Sequence, residues 1–219
     1  MENRFFRLFN IELFKRIISV IFFIPLMILP IFYSNYLLVF VYLFFNSIVL
    51  YELIKMKSSQ RSVRLINLYI PLTVFSFFIF IILIITDPIS KLILIEIIIT
   101  IWLFDTFSFL GGKLIGGKKL IPSISKGKTI SGLLAGIVFT LLILHIFKII
   151  SDKYEHIYLF YSLIIMLFAF LGDTIASILK RVSFVKDSGA IMPGHGGLFD
   201  RLDSFIFVFF VFGIIMIFG

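Results

Sequence analysis

A polar stretch, KRVSFVKDSGAIMPGHGGLFDRLDS, occupies residues 180–204 between two strongly apolar segments. It holds two Lys, two Arg, three Asp, one His and four Gly. Asp200 and Asp203 are three residues apart, which places them on one face of a helical first turn. Two carboxylates there either cap the N-terminus of the helix or hold a hard divalent cation, which prefers oxygen ligands and commonly bridges to phosphate. The spacing leaves both interpretations open.

The centre of this stretch, PGHGG at 193–197, is too rich in Gly and Pro to form a stable helix. Gly194, Gly196 and Gly197 let the backbone approach a ligand closely and present N–H groups to an anion. A multi-His zinc site is not indicated, because the chain has no Cys and its two other histidines fall on the opposite side of the predicted membrane. His195 is therefore predicted to donate to phosphate or to fix the loop.

Two aspartates lie inside apolar segments. Asp173, in LGDTIASILKR, shares a predicted helix face with Ser177 and Lys180. Asp105, in IWLFDTFSFLGG, occupies the matching depth of an earlier segment. A charged side chain in a bilayer costs several kcal/mol, so such residues are candidates for function. The alternative for each aspartate is an interhelical salt bridge or hydrogen bond that holds the bundle together.

Two glutamates in apolar segments receive a simpler interpretation. Glu52 lies near the end of its segment beside the basic KMK stretch, and is predicted to extend its carboxylate to the membrane surface. Glu96 lies early in its segment, and a structural role is predicted for it.

A second polar loop, GGKLIGGKKLIPSISKGKT at 111–129, is rich in Gly, Lys, Ser and Thr. Its GKT ending is not a P-loop, because that motif needs Gly where Pro122 stands and a preceding strand, which is not predicted here. The composition still suits a polyphosphate, which backbone N–H groups, hydroxyls and mobile lysines bind well. The candidate ligands are Lys113, Lys119, Ser125, Lys128 and Thr129.

The elements that must position these groups are membrane helices. The chain has 219 residues, of which 61% are hydrophobic and only 15% charged, with a mean hydropathy of +1.16. This composition indicates an all-α polytopic membrane protein. Seven apolar runs are long enough to cross the bilayer, at about 17–33, 36–54, 65–86, 92–112, 130–150, 157–179 and 204–219. The first run is predicted to be a retained helix, and the first two could instead form a re-entrant pair.

The distribution of basic residues predicts the orientation. Of 20 Lys and Arg residues, 17 fall at the N-terminus or in alternate loops on the same side of the predicted membrane. The N-terminus and both long loops are therefore predicted to be cytoplasmic. The net charge of +8 is attributed to topology and anionic lipid rather than to nucleic acid. We predict one membrane domain, 1–219, with N-terminal helices at 1–90, a core at 91–204 with loops 111–129 and 180–203, and a last helix at 204–219.

Two cytoplasmic loops rich in Gly and cations thus flank carboxylates at the membrane surface. This arrangement suits a reaction that joins a soluble polyphosphate to a lipid phosphate. Carboxylate-held Mg²⁺ would neutralise the phosphate charge, and catalysis would consist of positioning and electrostatic stabilisation.

The run SILKRVSFVKDSGAIMPGHGGLFDRLDS resembles the signature S-x-x-K-R-x4-K-D-x-G-x3-P-G-H-G-G-x-x-D-R-x-D of phosphatidate cytidylyltransferases, also called CDP-diacylglycerol synthases. The preceding Gly172-Asp173 pair and DTFSFLGGKLIGGKKL also resemble that family. The resemblance covers about residues 100–204. The middle loop departs from the family pattern S-P-x-K-T-x-E-G, since Lys126 replaces the Pro and Ser131 replaces the acidic residue.

The resemblance implies transfer of CMP from CTP to phosphatidic acid, with release of pyrophosphate, for phospholipid synthesis. It implies a Mg²⁺-dependent, multi-pass enzyme of the cell (inner) membrane with its active site on the cytoplasmic face. Some members are dimers, so a homodimer is one expectation. By motif, the metal-binding carboxylates are Asp173 and Asp200. The remaining signature residues are carried over as active-site lining: Lys180, Arg181, Lys186, Asp187, His195, Arg201 and Asp203.

Three alternatives remain open. A related enzyme would act on another lipid phosphate, such as an ether lipid. A transporter or channel would use the intramembrane acids as an ion path, although the outer halves of the spans are nearly free of polar residues. An inactive scaffold would explain the departures in the middle loop, although the full set of carboxylates argues against it.

Overall fold

The structure, a computed structural model, describes residues 21–86, 89–151, 157–194 and 196–218. The described chain forms seven helices and one antiparallel pair of strands. In chain order these elements are α1 (Ile21–Tyr33), α2 (Asn35–Lys55), α3 (Gln60–Thr86), α4 (Ile89–Leu114), β1 (Lys119–Ile121), β2 (Ser125–Thr129), α5 (Ile130–Ser151), α6 (Ile157–Val182) and α7 (Phe199–Phe218).

Five of these helices contain a segment that is long and apolar enough to cross a bilayer. These segments are Asn35–Lys55, Gln60–Ile79, Lys91–Leu114, Ile130–Phe147 and Phe160–Val182. The predicted all-α, multi-pass membrane class is therefore confirmed. The first predicted span, 17–33, begins outside the described residues, and α1 accounts for its described part.

The first two helices pack side by side as an antiparallel pair. Only Ser34 separates α1 from α2, and its hydroxyl accepts a hydrogen bond from the Leu37 N–H at 3.1 Å. This bond caps the N-terminus of α2. Phe23 and Phe45 lie equally far from Ser34 along the chain, and their rings stack with centroids 5.9 Å apart. The chain therefore reverses direction at Ser34.

The last helix lies in the protein interior. Helix α7 packs against α3 and α6, and Phe199, Phe205 and Phe209 on it are at most 1% exposed. Close approach of α6 requires Gly172, because a Cβ there would lie 2.7 Å from the Asp203 carbonyl oxygen. The helix begins at Phe199, five residues before the predicted last span at 204–219, so Asp200 and Asp203 lie near its N-terminus as their spacing indicated. Asp200 pairs there with Lys180 of α6.

Helices α4 and α5 form the most extensive helix pair, and glycines at their interface bring the backbones together. A Cβ at Gly132 would lie 2.5 Å from the Ser108 carbonyl oxygen and 3.1 Å from the Gly112 Cα. Small residues at such a crossing favour close packing in membranes. This packing fixes the face of α4 that carries Asp105 and Ser108 against the start of α5.

The middle loop forms a β-hairpin, which the sequence did not predict. Lys119 pairs with Thr129, and Ile121 pairs with Ser125. The GKT residues lie within β2 itself, and α5 begins at the next residue, so the strand–loop–helix order of a P-loop is absent here. The Thr129 hydroxyl accepts from the Gly132 N–H at 3.0 Å and caps α5.

Candidate active site

The two predicted loops meet over the C-terminal half of α6. The Lys128 ammonium on β2 lies 2.9 Å from an Asp173 carboxylate oxygen and 2.8 Å from the Thr174 hydroxyl. The Arg181 side chain donates to the Ile124 carbonyl of the hairpin and to the Val185 carbonyl, both at 3.1 Å. The hairpin is therefore joined to the C-terminal part of α6 by Lys128, which contacts Asp173 and Thr174, and by the hydrogen bond from Arg181 to Ile124.

A cavity of about 470 Å³, here called the middle cavity, opens between α4, the hairpin, α5 and α6. Phe104, Phe109 and Phe170 form part of its apolar wall. Its polar wall contains Asp105, Ser108, Lys113, Ser125, Lys128, Thr129 and Asp173. Within the described ranges, no hydrogen bond or ion pair joins Asp105 to another residue, and the buried Ser108 hydroxyl has no partner. Asp105 is exposed and can meet a ligand, whereas the Ser108 hydroxyl is buried against α5 near Gly136.

The structure also contains two further clefts, each of about 450 Å³. The helix cleft lies beside α1, α4 and α7 and is lined by Phe23, Ile24, Trp102, Asp105, Thr106, Met192, Asp200, Arg201, Asp203 and Phe205. The loop cleft is lined by Lys186, Asp187, Gly189, Ala190, Met192, Gly194, Gly196 and Arg201. Asp105 borders both the middle cavity and the helix cleft, and Arg201 borders both clefts. The helix cleft therefore shares lining residues with each of the other two spaces, whereas the middle cavity and the loop cleft have no described lining residue in common.

Lys180 is the buried cation of the site. Its ammonium lies 2.8 Å from the Asp200 Oδ1 and 3.9 Å from the Asp203 Oδ2. The other Asp200 oxygen accepts from the Ser188 N–H and the Gly197 N–H, both at 2.9 Å. Asp200 is thus held from one side by the lysine and from the other by backbone amides.

Glycine is required where this loop closes on Asp200. Gly196 has φ +90, a conformation that other L residues rarely adopt, and a Cβ there would lie 2.7 Å from the Asp200 Oδ2. A Cβ at Gly197 would overlap the Ser188 hydroxyl and the Glu52 carboxylate. Gly196 and Gly197 therefore let the backbone wrap around the carboxylates, and Gly194 and Gly196 also line the loop cleft.

The Glu52 carboxylate does not extend to a surface, and that prediction is wrong. Its side chain is buried at 1% exposure, near the end of α2. It accepts hydrogen bonds from the Ser188 hydroxyl at 2.8 Å, from the Leu198 N–H at 3.0 Å and from the Phe199 N–H at 2.9 Å. The loop after α6 and the first turn of α7 supply the polar partners that water would otherwise provide.

The carboxylates suit a hard cation in their chemistry. Among the described residues, no three Asp, Glu or His side chains form an all-protein metal cage. Magnesium usually takes only one or two carboxylates and completes its shell with water and phosphate, so a smaller set is sufficient. Asp173 fits, since one oxygen pairs with Lys128 and the other has only a 3.5 Å contact with Ser177. Asp200 keeps one lone pair on the oxygen that faces Lys180.

The other predicted site residues fall in different places. Lys119 is exposed on β1 and lines none of the three spaces. Lys186 and Asp187 are exposed at the loop cleft. Thr129 lines the middle cavity, but its hydroxyl is engaged as the α5 cap. His195 lies outside the described residues.

Sequence reasoning missed three residues at the site. Ser108 follows Asp105 by three positions on one helix face, and this spacing was the signal that could have identified it. Ser188 occupies a variable position of the signature, so no motif indicated it. Glu52 is an intramembrane carboxylate, which the general rule marks as functional. The neighbouring basic KMK stretch led to the surface interpretation instead.

Comparison with known proteins gives the family. A profile of the cytidylyltransferase family matches residues 58–218. Phosphatidate cytidylyltransferase of Bacillus subtilis (strain 168) is 45% identical over 112 residues, which are 50% of this chain and 42% of the relative. The proteins of the same name from Staphylococcus epidermidis (strain RP62A) and Staphylococcus aureus (strain COL) are 41% and 42% identical over 119 residues. Those residues are 53% of this chain, and the chain spans less than half the length of these relatives, 46% in both. The profile covers well over half of the chain, and the chain therefore belongs to the cytidylyltransferase family.

Proposed function

We propose that the protein is a phosphatidate cytidylyltransferase, which converts CTP and phosphatidate into CDP-diacylglycerol and pyrophosphate. The observation that carries the proposal is the shared wall of carboxylates and cations, from Lys128 and Asp173 through Asp105 to Asp200 and Arg201. The names of the curated relatives support the choice of substrates.

The middle cavity and its neighbours suit two substrates of different character. The middle cavity combines lysines and hydroxyls with phenylalanine rings, so it can accept a phosphate group attached to an apolar body. The loop cleft has Gly, Lys and Arg along its wall and suits a polyphosphate. The helix cleft shares Asp105 with the middle cavity and Arg201 with the loop cleft, and we propose that it joins the two substrate positions.

The proposed reaction is an in-line displacement at the α-phosphorus of CTP. A phosphate oxygen of the lipid forms the new P–O bond, and the bond from the α-phosphorus to the bridging oxygen of pyrophosphate breaks. The lipid phosphate is already ionised at neutral pH, so no strong general base is needed. Lys128 and Arg201 would bind and orient the phosphates, and positive charge at these positions stabilises the transition state more than the separated substrates.

A magnesium ion held by Asp173 and Asp200 would neutralise charge on the nucleotide phosphates. Lys128 and Lys180 would keep these carboxylates paired when no metal is bound. Asp105, which borders both the middle cavity and the helix cleft, adds a third carboxylate on the same wall.

We further propose that the site faces the cytoplasm. The excess of basic residues in the two loops and at the N-terminus supports this orientation. It also agrees with the substrate, since CTP is a soluble cytoplasmic nucleotide. Dimer formation stays a proposal that measurement of the mass of the detergent-solubilised protein tests.

The test is formation of CDP-lipid by the purified full chain in lipid vesicles. CTP, UTP and ATP are offered in turn with phosphatidate and with an ether-linked lipid phosphate, and the product is identified by mass spectrometry. We expect CTP- and Mg²⁺-dependent product from phosphatidate, which EDTA abolishes. Asp173→Asn should lower the rate about 100-fold or more, and Glu96→Gln serves as the matched control. If product forms from the ether-linked lipid phosphate alone, that lipid and not phosphatidate is the acceptor. Absence of any nucleotide-dependent product would refute the proposal.

A further inference from the structure

Glu52 is a buried acid whose polar partners all lie far from it in sequence. It belongs to α2, and the groups that donate to it lie 136 to 147 residues further along the chain. It also lies outside residues 58–218, the range that the family profile matches. Burial of a carboxylate is unfavourable unless hydrogen bonds compensate it. The position of Glu52 therefore reflects a specific arrangement of the chain around it.

The first turn of α7 takes its cap from Glu52. The residue directly before the helix is Leu198, whose apolar side chain cannot accept from the free N–H groups of the first turn. Glu52 accepts from the N–H groups of both Leu198 and Phe199. Its carboxylate also lies at the positive end of the α7 dipole. Helix α2 thus fixes the point at which α7 begins.

Glu52 also orients the turn that holds Asp200. The Ser188 hydroxyl has one proton to donate, and the Glu52 oxygen at 2.8 Å is nearer than the Asp200 oxygen at 3.2 Å. Donation to Glu52 leaves the Ser188 N–H directed at Asp200, at 2.9 Å. Asp200 in turn pairs with Lys180. Contacts therefore run without a gap from Glu52 to the buried ion pair of the site.

Two glycines form the socket that receives this carboxylate. A Cβ at Gly189 would lie 2.6 Å from one Glu52 oxygen, and a Cβ at Gly197 would overlap the other. The backbone can close around Glu52 only because both positions lack a side chain. These glycines serve the positioning of Glu52 in addition to any contact with substrate.

We propose that Glu52 is a positioning residue for the transferase, which sets Asp200 and Lys180 through Ser188 and the first turn of α7. The proposal rests on the cytidylyltransferase activity proposed above. Glu52 does not border any of the three spaces of the site, so it acts through these residues and not on substrate.

The test compares Glu52→Gln, Glu52→Asp and Glu96→Gln in the full chain. Gln keeps the size of Glu but replaces one acceptor oxygen with a donor, so it cannot accept on both sides of the carboxylate. We expect kcat for CDP-lipid formation to fall about 10- to 100-fold in Glu52→Gln, as for other residues that orient a ligand-binding group. The apparent KM for phosphatidate should stay unchanged. Glu52→Asp keeps both acceptors and should recover part of the rate, whereas Glu96→Gln should match the wild type.

Hydrogen–deuterium exchange shows whether the effect passes through the loop. The amides of residues 196–199 should exchange faster in Glu52→Gln than in the wild type and in Glu96→Gln. A Ser188→Ala variant should lower kcat in the wild-type background and have less effect in Glu52→Gln, since both changes interrupt the same path.

The outcomes separate the two proposals. An active wild type whose kcat is unchanged by Glu52→Gln overturns the positioning role, as does a lower kcat without faster exchange. A wild type that forms no CDP-lipid refutes the proposed function instead. If Glu52→Gln does not fold, the rate and exchange of Glu52→Asp decide the question, and values equal to the wild type for both overturn the proposal.

Discussion

The site contains two lysine–aspartate pairs of nearly equal length in different surroundings. Lys180 and Asp200 are 2.8 Å apart, with side chains 11% and 6% exposed. Lys128 and Asp173 are 2.9 Å apart, with side chains 17% and 37% exposed. The buried pair is held by backbone amides and, through Ser188, by Glu52. The open pair borders the middle cavity.

This difference suggests a division of roles within the site. Around Asp200 the partners are backbone amides and a buried lysine, so the arrangement can change only if the first turn of α7 moves. Lys128 instead extends from a short hairpin, and its ammonium also lies 4.7 Å from the centre of the Phe170 ring. It can exchange its partners for phosphate without any change of the fold. We infer that the buried pair is a framework that holds Asp200 fixed as a candidate metal ligand, and that Lys128 of the open pair meets the substrate.

The largest effect is expected on stability at the buried pair. Lys180→Met removes the cation and leaves Asp200 and Asp203 without their counter-charge in the interior, which should destabilise the protein by about 3 to 5 kcal/mol. The matched variant Lys128→Met acts on the open pair and should cost about 1 kcal/mol or less. Unfolding of the detergent-solubilised protein, followed by heating or by denaturant, measures both. Equal losses would contradict the division into framework and substrate contact.

The second effect concerns activity at the open pair. Lys128→Ala should lower the rate of CDP-lipid formation about 100- to 1000-fold, because a cation that faces the transferring phosphate is lost. The melting temperature should stay close to that of the wild type. Lys128→Arg keeps the charge and should retain more activity than Lys128→Ala. A stable Lys128→Ala variant with wild-type activity would show that the open pair is not part of the reaction.

The sequence predicted much of the open side of the site, which is the part around the open pair Lys128 and Asp173. Basic residues placed both loops on one face of the membrane, and helical spacing put Asp173 in line with Ser177 and Lys180. The contact between Lys128 and Asp173 agrees with that convergence. Such inferences are possible because they depend on topology and on local periodicity, and both can be read from a single sequence.

The buried side was predicted less well, because it depends on tertiary contacts. Nothing near Glu52 in sequence shows that an N–H of residue 199 needs an acceptor, and the basic residues beside it favoured the surface. The apolar run at 204–219 gave only the hydrophobic part of α7, because hydropathy does not detect a charged first turn that is paired with a lysine of another helix. The hairpin at 119–129 was missed because its Lys- and Gly-rich strands lack the alternation of a half-buried strand.

A pair of glycine variants compares the two sides with the same chemical change. Gly197→Ala places a methyl group against the Ser188 hydroxyl and Glu52, and should destabilise the protein by about 1 to 3 kcal/mol through overpacking. Gly127→Ala on β2 meets no atom within 4 Å, so its effect on stability should be within about 0.5 kcal/mol. Unfolding of both variants in the same detergent provides the measurement. A Gly197→Ala variant as stable as the wild type would mean that the loop around Asp200 is not closely packed.

The smallest effects are expected within the middle loop, where two lysines have different positions. Lys113 lines the middle cavity, with its ammonium 5.9 Å from the Phe109 ring centre, whereas Lys119 is exposed and borders no part of the site. Lys113→Ala should raise the apparent KM for the substrate that occupies the middle cavity about tenfold, which is the effect of losing one charged hydrogen bond to a phosphate. Lys119→Ala should change it less than about twofold, because solvent and salt screen an exposed charge. Steady-state kinetics at fixed ionic strength measures both variants. Equal effects would show that the loop acts by general electrostatic attraction, and the open side would then extend beyond the middle cavity to the whole face of the hairpin.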